Sequence, residues 1–197
     1  MPSDVSLKLA YPRNRESIRR DVYLLRKKLG FKDIFYFPIV NFLENVLPSI
    51  DESFFIEVVD DSEMVGIQAE YIPQLNAIRV RQSVYDAAVL GHWWARSTLA
   101  HELGHYYYHD EKSVRYASVI PGKRIPPDFD PERQANIFAA ELLAPINLIE
   151  GMSVRKIGQA FGVSYTIAKR QLYALDRVRT RQQKKREKKK KRPSFYT

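Results

Sequence analysis

The sequence predicts an α+β fold in which a small β-sheet packs with helices. Apolar residues recur at helical spacing near the N-terminus, segments rich in β-branched and aromatic residues follow between residues 54 and 80, and helical patterns return from Val84 onward. Hydrophobic residues make up 45% and charged residues 28% of the 197-residue chain, which is a globular composition. We therefore expect one folded domain with appendages.

The first half of the chain contains two predicted helices followed by the predicted sheet. Residues 17–29 carry apolar side chains at helical spacing and stop at Gly30. Pro38 can open a second helix, which Leu47-Pro48 closes. The segments that predict two or three short strands are residues 54–59, 65–72 and 77–80.

The second half is predicted to be helical with one long interruption. A helical pattern runs from Val84 to about His109, and a loop of roughly twenty residues follows, in which Pro121-Gly122 and Pro126-Pro127 disfavour regular structure. Asp130-Pro131 then predicts a helix start, because it combines an acidic N-cap with proline at the first helical position. This helix is predicted to end near Leu143. Residues 153–175 are predicted to form two short helices around Gly162.

The net charge of +9 is concentrated at the C-terminal end of the chain. Residues 177–192 contain eleven Lys or Arg residues and one glutamate, a charge of +10, which leaves the other residues at −1. The run is low in complexity and predicts disorder or a frayed helix end. Cysteine is absent, which excludes disulfides, cysteine-ligated metals and thiol nucleophiles. Neither a secretion signal nor a membrane-spanning run is recognisable, so we expect a cytoplasmic protein without a membrane partner.

The motif that carries chemistry is His101-Glu102-Leu103-Gly104-His105, an HExxH pattern within a predicted helix. Residues four apart lie above one another on a helix, so both imidazoles can reach one metal ion. Glu102 lies about 100° round the helix. It can therefore take a proton from a metal-activated water without binding the metal. The alternative is an amphipathic helix with two ordinary histidines.

A hydrolytic zinc site needs a third protein ligand and one open position. The extended pattern HExxHxxGxxH fails here, because Tyr108 replaces its glycine and Glu111 its third histidine. Glu132 on the following helix is the better candidate, since Asn136 shares its face and can accept the ring N–H of a liganding histidine. A first-turn glutamate that stabilises the helix N-terminus is the alternative. Glu141 is a rival ligand that has no Asn or Asp four residues later.

Three segments resemble one family of proteins. RSTLAHELGH at residues 96–105 and ERQANIFAAELLAP at residues 132–145 are similar to the signature segments of the ImmA/IrrE-type metallopeptidases, which are bacterial and phage proteins of the gluzincin type. SYTIAKRQLYAL at residues 164–175 resembles the helix that follows the second signature. The resemblance covers about residues 50–176.

The resemblance implies a cytoplasmic zinc peptidase that acts as an anti-repressor. Such proteins cleave or otherwise inactivate a helix-turn-helix repressor, and so release stress-response or mobile-element genes. His101, His105 and Glu132 would hold Zn²⁺, with Mn²⁺ as the alternative ion, and Glu102 would be the catalytic base. A donor for the oxyanion is also needed. The candidates near the motif are Tyr106, Tyr107, Tyr108 and His109, of which His109 can also be a packed or solvated residue.

Residues 152–176 have the outline of a helix-turn-helix hairpin. If this hairpin met DNA, Lys169 and Arg170 would face the groove together with Tyr165 and Thr166. The alternative is a hairpin that completes the core or contacts the repressor. The basic tail can make salt-sensitive phosphate contacts. Its central cationic residues are Lys184, Lys185 and Arg186.

Two functional hypotheses follow from these features. The first is a zinc peptidase directed at a repressor. The second is a DNA- or protein-binding regulator that acts through residues 152–192 without cleavage. The corresponding domain division comprises N-terminal helices and a metallopeptidase core at 1–151, the hairpin at 152–176 and a basic tail at 177–197.

Overall fold

A computed structural model describes residues 6–109, 114–118 and 125–190 and confirms the α+β class. The described strands are β1 Ser6–Ala10, β2 Phe55–Val59, β3 Ala69–Ile72, β4 Ala77–Arg81 and β5 Val114–Ser118. The described helices are α1 Arg15–Lys28, α2 Ile39–Asn41, α3 Gln82–Val89, α4 Trp93–Tyr108, α5 Pro131–Leu143, α6 Val154–Phe161 and α7 Tyr165–Lys190.

The predicted sheet is present with three strands in the order β2–β4–β3. β2 pairs parallel to β4, and β3 pairs antiparallel to β4. The third strand is shorter than predicted, because it begins at Ala69 rather than at Val65. Since β3 pairs only with β4 among the described strands, it is an edge strand, and it lies beside α4.

A two-stranded ribbon lies where no strand is expected. β1 and β5 pair antiparallel, with Ser6 opposite Ser118 and Ala10 opposite Val114. The expectation of an irregular loop after His109 is therefore wrong for Val114–Ser118. Pairing across about a hundred residues gives no local signal, so the pattern of either segment alone does not reveal it. The rest of the loop up to residue 124, including Pro121-Gly122, lies outside the described residues.

The helical pattern that begins near Val84 forms two helices instead of one. α3 ends at Val89, and Gly91 has a φ of +84°, a left-handed conformation that favours glycine. α4 then begins at Trp93 and carries the whole HExxH motif. The helix predicted from Pro38 is also irregular, since α2 continues as a π-helical turn at Phe42–Val46.

Helix α5 begins where the sequence predicts. The Asp130 side chain accepts hydrogen bonds from the backbone N–H groups of Glu132 and Arg133, and Pro131 occupies the first helical position. This helix packs against α4 and α1 in the centre of the molecule. The largest fully buried apolar side chains of that core are Phe37, Phe42, Phe138, Phe161, Ile18, Ile39, Leu43, Ile78, Leu99 and Leu103.

The C-terminal hairpin is present, but its second helix is much longer than predicted. Gly162 ends α6 with a φ of +62°, and α7 then runs for 26 residues from Tyr165 to Lys190. Of the two alternatives expected from Arg177 onward, disorder or a frayed helix end, the structure has helix as far as Lys190. Lys, Arg and Gln are good helix formers, and extending a helix whose first turns are packed requires no new nucleation. Within the described ranges, no helix combines the length and apolarity needed to cross a membrane.

Candidate metal centre

The candidate site forms where α4 passes close to α5. Gly104 of α4 faces Ala135 of α5, and a Cβ placed on Gly104 would lie 2.9 Å from the Ala135 Cα and 3.2 Å from its carbonyl oxygen. Any side chain larger than hydrogen at position 104 would therefore push the helices apart. This close approach brings Glu132, one turn before Ala135, to the two histidines of the motif.

His101, His105 and Glu132 converge with ligand atoms within 4.8 Å of one another. The two Nε2 atoms are 3.0 Å apart, His101 Nε2 is 3.2 Å from Glu132 Oε2, and His105 Nε2 is 3.3 Å from Glu132 Oε1. Three ligands placed about 2.0–2.1 Å from a tetrahedral zinc ion lie about 3.3 Å apart. The cluster therefore fits a zinc ion, and among the described residues it is the one such group of three.

The charges of the cluster suit a bound cation. Hydrogen bonds from His101 and His105 hold the pKa of Glu132 far below its usual range. Burial alone would lower the pKa of His101, but hydrogen bonds and charges, chiefly those of Glu132, raise it overall. The Glu132 side chain is 66% exposed, whereas those of His101 and His105 are 21% and 17% exposed. The cluster is therefore anchored in the protein and open to solvent at the glutamate.

Glu102 lies beside the cluster and is held by the sheet. Its Oε2 accepts a hydrogen bond of 2.9 Å from the backbone N–H of Tyr71, on the edge strand β3. The side chain is buried, and this burial raises the pKa of its carboxyl group. A carboxylate with a raised pKa exchanges protons more readily near neutral pH than an ordinary one. The sequence does not reveal Tyr71, because its contribution is a backbone N–H.

Asn136 contacts both His101 and the helix that carries Glu132. Its side chain lies near His101 and contributes to the raised pKa of that ring, and its Nδ2 donates to the Glu132 carbonyl oxygen at 2.7 Å. Asn136 and Glu132 therefore lie on the same face of α5, as their spacing of four residues predicts.

His109 lies behind His105 and not among the exposed ligand atoms. Its Nδ1 is 2.9 Å from His105 Nδ1, and its Nε2 is 3.1 Å from Gln134 Oε1. Burial lowers the pKa of His109 to about 4. A substrate-contacting role has no support from this buried position. Gln134 was not among the predicted site residues, because its proximity depends on how α5 crosses α4.

Tyr106 and Tyr108, two of the three tyrosines after the motif, donate to partners outside the cluster. Tyr107 is 42% exposed, and its ring packs against Phe138. The Tyr106 hydroxyl donates to Asp51 Oδ2 at 2.9 Å, and its ring packs edge-on against Tyr71. Tyr108 is buried, and its hydroxyl donates to Asp21 at 3.3 Å. These contacts explain the packing of both rings, and they do not identify an oxyanion donor.

The rival ligand Glu141 lies in a different environment. Its carboxylate is buried and accepts a bidentate pair of hydrogen bonds from Arg19 of α1 at 3.0–3.2 Å. A buried carboxylate is stable when it is paired and hydrogen-bonded in this way. Glu141 therefore joins α1 to α5 and is not part of the metal cluster.

The predicted nucleic-acid contacts all lie on α7. Lys169 is exposed between Tyr165 and Tyr173, with its Nζ 5.9 Å from each ring centroid. Arg170 is also exposed. Further along the same helix lie the exposed residues Lys184, Lys185 and Arg186. They form a cationic surface that shares no residue with the metal cluster.

The fold and the cluster define an α+β protein with a candidate three-ligand metal centre on two crossing helices. Residues 95–173, which contain the whole cluster, match the family Peptidase_M78, described as the IrrE N-terminal-like domain. This match confirms the resemblance to ImmA/IrrE-type metallopeptidases. A comparison with curated proteins finds no match.

Proposed function

We propose that the protein is a zinc-dependent endopeptidase. The observation that carries the proposal is the convergence of His101, His105 and Glu132 beside the buried carboxylate of Glu102. The similarity of residues 95–173 to a peptidase family supports the same reaction. Two neutral imidazoles and one carboxylate suit zinc, and the same ligand types also accept manganese.

His101 and His105 would hold the ion through Nε2, and Glu132 would hold it through its carboxylate. When bound there, Zn²⁺ supplies Lewis-acid polarisation of the scissile carbonyl and lowers the pKa of water. The exposed side of Glu132 leaves the approach for a substrate open.

Glu102 moves the proton in this mechanism. The Tyr71 N–H occupies Oε2 and fixes the carboxylate, so that Oε1 takes the proton from the attacking water and delivers it to the departing amine. Water adds to the carbonyl carbon, the C–N bond breaks, and the products are a carboxylic acid and an amine. The raised pKa of Glu102 favours both the uptake and the release of this proton.

The edge strand β3 suits a peptide substrate. It lies beside α4, and its Tyr71 N–H points to Glu102 rather than into the sheet. An extended peptide that adds to a sheet edge gains main-chain hydrogen bonds, and its side chains alternate in direction. A peptide aligned along β3 would pass the proposed base.

The substrate we propose is a helix-turn-helix repressor. The family resemblance supports this substrate class and an anti-repressor role, with both proteins in the cytoplasm. Cleavage would separate the DNA-binding part of the repressor from the rest of that protein.

The test uses the purified protein and a purified helix-turn-helix repressor, chosen from the genes that neighbour its own. Wild type with zinc is expected to convert the repressor into two fragments, whereas a chelator or Glu102→Gln abolishes the fragments. Glu57→Gln is the matched control, because Glu57 lies on β2, in the sheet whose edge strand holds Glu102, and pairs with Arg79 at 2.8 Å. Intact repressor with zinc-loaded wild type would contradict the proposed substrate, and fragments with Glu102→Gln would contradict the proposed base.

The cationic surface of α7 favours a second candidate function, a non-catalytic regulator that binds DNA. One exposed lysine, Lys169, lies beside two exposed tyrosines, and cationic and aromatic side chains are combined in this way at nucleic-acid contacts. This candidate predicts that removal of residues 177–197 abolishes regulation while Glu102→Gln has no effect. DNA affinity that does not fall with rising salt would contradict it.

A further inference from the structure

The ring nitrogen of His105 that faces away from Glu132 contacts a second histidine. His105 Nδ1 is 2.9 Å from His109 Nδ1, and His109 Nε2 is 3.1 Å from Gln134 Oε1. His109 is 5% exposed and Gln134 is 0% exposed. We call this buried chain of hydrogen bonds the His105–His109–Gln134 chain.

The orientation of the Gln134 amide is set by two backbone carbonyls. Its Nε2 donates to the carbonyl oxygens of Tyr11 and Asp128, each at 2.8 Å. Both N–H bonds of the amide are therefore used, and Oε1 must be the atom that faces His109. An oxygen there can only accept, so His109 donates from Nε2.

The position of the proton on His109 determines which nitrogen of His105 carries a proton. A neutral imidazole carries one N–H, so a His109 ring that donates from Nε2 has an acceptor at Nδ1. His105 must then carry its own proton on Nδ1. In the neutral ring that a metal ligand requires, its Nε2, which faces Glu132 at 3.3 Å, then carries a lone pair in place of a proton. This tautomer is the one that can bind a metal through Nε2.

We propose that His109 and Gln134 are positioning residues that hold His105 in its metal-binding tautomer and orientation. The inference rests on the proposed metal centre and adds two residues to it. A liganding histidine that donates its other N–H to a fixed acceptor becomes a more basic and better oriented ligand. His109 is the acceptor, and Gln134 keeps its acceptor nitrogen directed at His105.

The primary test is the zinc affinity of the full chain, measured by competition with a chromophoric chelator. Gln134→Met removes the amide but keeps a side chain of similar length, and it is expected to weaken zinc binding about 10- to 100-fold. His109→Leu is expected to act similarly. His109→Gln places a carbonyl acceptor within similar reach of His105 Nδ1 and is expected to recover most of the affinity.

Gln171→Met is the matched control. Gln171 is also 0% exposed and donates to two backbone carbonyls, those of Ala140 and Ala144 at 3.2 and 2.8 Å. Its Oε1 accepts from Arg15 instead of a histidine. Both glutamine variants are expected to lower the melting temperature of the metal-free protein, but only Gln134→Met is expected to weaken zinc binding.

Cobalt substitution gives a second readout that does not depend on activity. The visible absorption of Co²⁺ is expected to shift in Gln134→Met and to match wild type in Gln171→Met. Equal zinc affinities and cobalt spectra for wild type and Gln134→Met would overturn the inference, as would equal losses in the two glutamine variants. Wild type that binds no zinc would instead overturn the proposed metal centre itself.

Discussion

Substituting alanine for Gly104 tests whether the close approach of α4 and α5 sets the metal centre. The added Cβ would lie 2.9 Å from the Ala135 Cα, whereas two carbon atoms in contact lie about 3.5–4.0 Å apart. The atoms that it meets are backbone atoms, so no side-chain rotation relieves the contact. Helix α5 must move by at least about 0.6 Å to reach an ordinary contact distance.

This displacement acts on stability and on the metal centre differently. Overpacking of this kind costs about 1–3 kcal/mol, and the better helix propensity of alanine offsets about 1 kcal/mol of that cost. The metal-free variant is therefore expected to lose up to about 2 kcal/mol of unfolding free energy. Glu132 moves with α5, and ligand distances tolerate only about 0.2 Å, so zinc affinity is expected to fall on the order of tenfold or more.

The assay measures the zinc dissociation constant by chelator competition and the thermal unfolding of the metal-free protein. Gly158→Ala is the control, because that Cβ would also be tight, at 3.3 Å from the Val163 carbonyl oxygen, but in α6 and away from the cluster. It is expected to leave zinc affinity unchanged. Wild-type zinc affinity in Gly104→Ala would refute the idea that the helix approach sets the ligand geometry.

Three further outcomes are expected. Asn136→Ala removes the partner of the His101 ring, so zinc affinity should fall about 10- to 100-fold, and unchanged affinity would exclude that role. His109 is buried with a pKa of about 4, below its unfolded value of 6.5, so its contribution is present above pH 6.5 and is lost as the pH falls toward 4. Urea unfolding of the metal-free protein at pH 7 and pH 5 should therefore show that wild type loses more unfolding free energy than His109→Leu, and the difference should approach ~3 kcal/mol at lower pH. Equal losses in the two proteins would contradict the burial of a neutral His109. Asp130→Ala should cost about 1 kcal/mol by denaturant unfolding, since the N-cap of α5 loses its acceptor, and an unchanged midpoint would show that the cap is not needed.

The parts of the fold that the sequence predicts are those with local signals. The N-cap at Asp130, the break at Gly162 and the β-rich segments each act through neighbouring residues, and each predicts its element. The ribbon of β1 and β5 depends on pairing between distant segments. Ser6-Leu7-Lys8-Leu9 alternates polar and apolar residues, as a strand does, but this alternation does not indicate the partner strand. The length of α7 is also missed, because a run of Lys and Arg is compatible with disorder and with a continued helix.

The sequence likewise predicts one part of the candidate site, the metal ligands, and does not predict the contacts that support them. Its ligands can be predicted, because HExxH places two imidazoles on one helix face and Glu132 with Asn136 repeats that spacing on a second helix. The supporting contacts cannot be predicted from spacing, since they depend on how α4 lies against β3 and α5. Tyr71 contributes a backbone N–H, and Gln134 reaches His109 only because the helices cross at Gly104.

The most direct test of the proposed metal centre is a crystal structure of the zinc-loaded protein with anomalous data collected on both sides of the zinc absorption edge. We expect one strong anomalous peak within about 2.0–2.2 Å of His101 Nε2, His105 Nε2 and a Glu132 carboxylate oxygen. The Glu102 carboxylate is expected nearby without binding the ion. A peak bound by other residues, or zinc-soaked crystals without a peak at this cluster, would contradict the proposed metal centre.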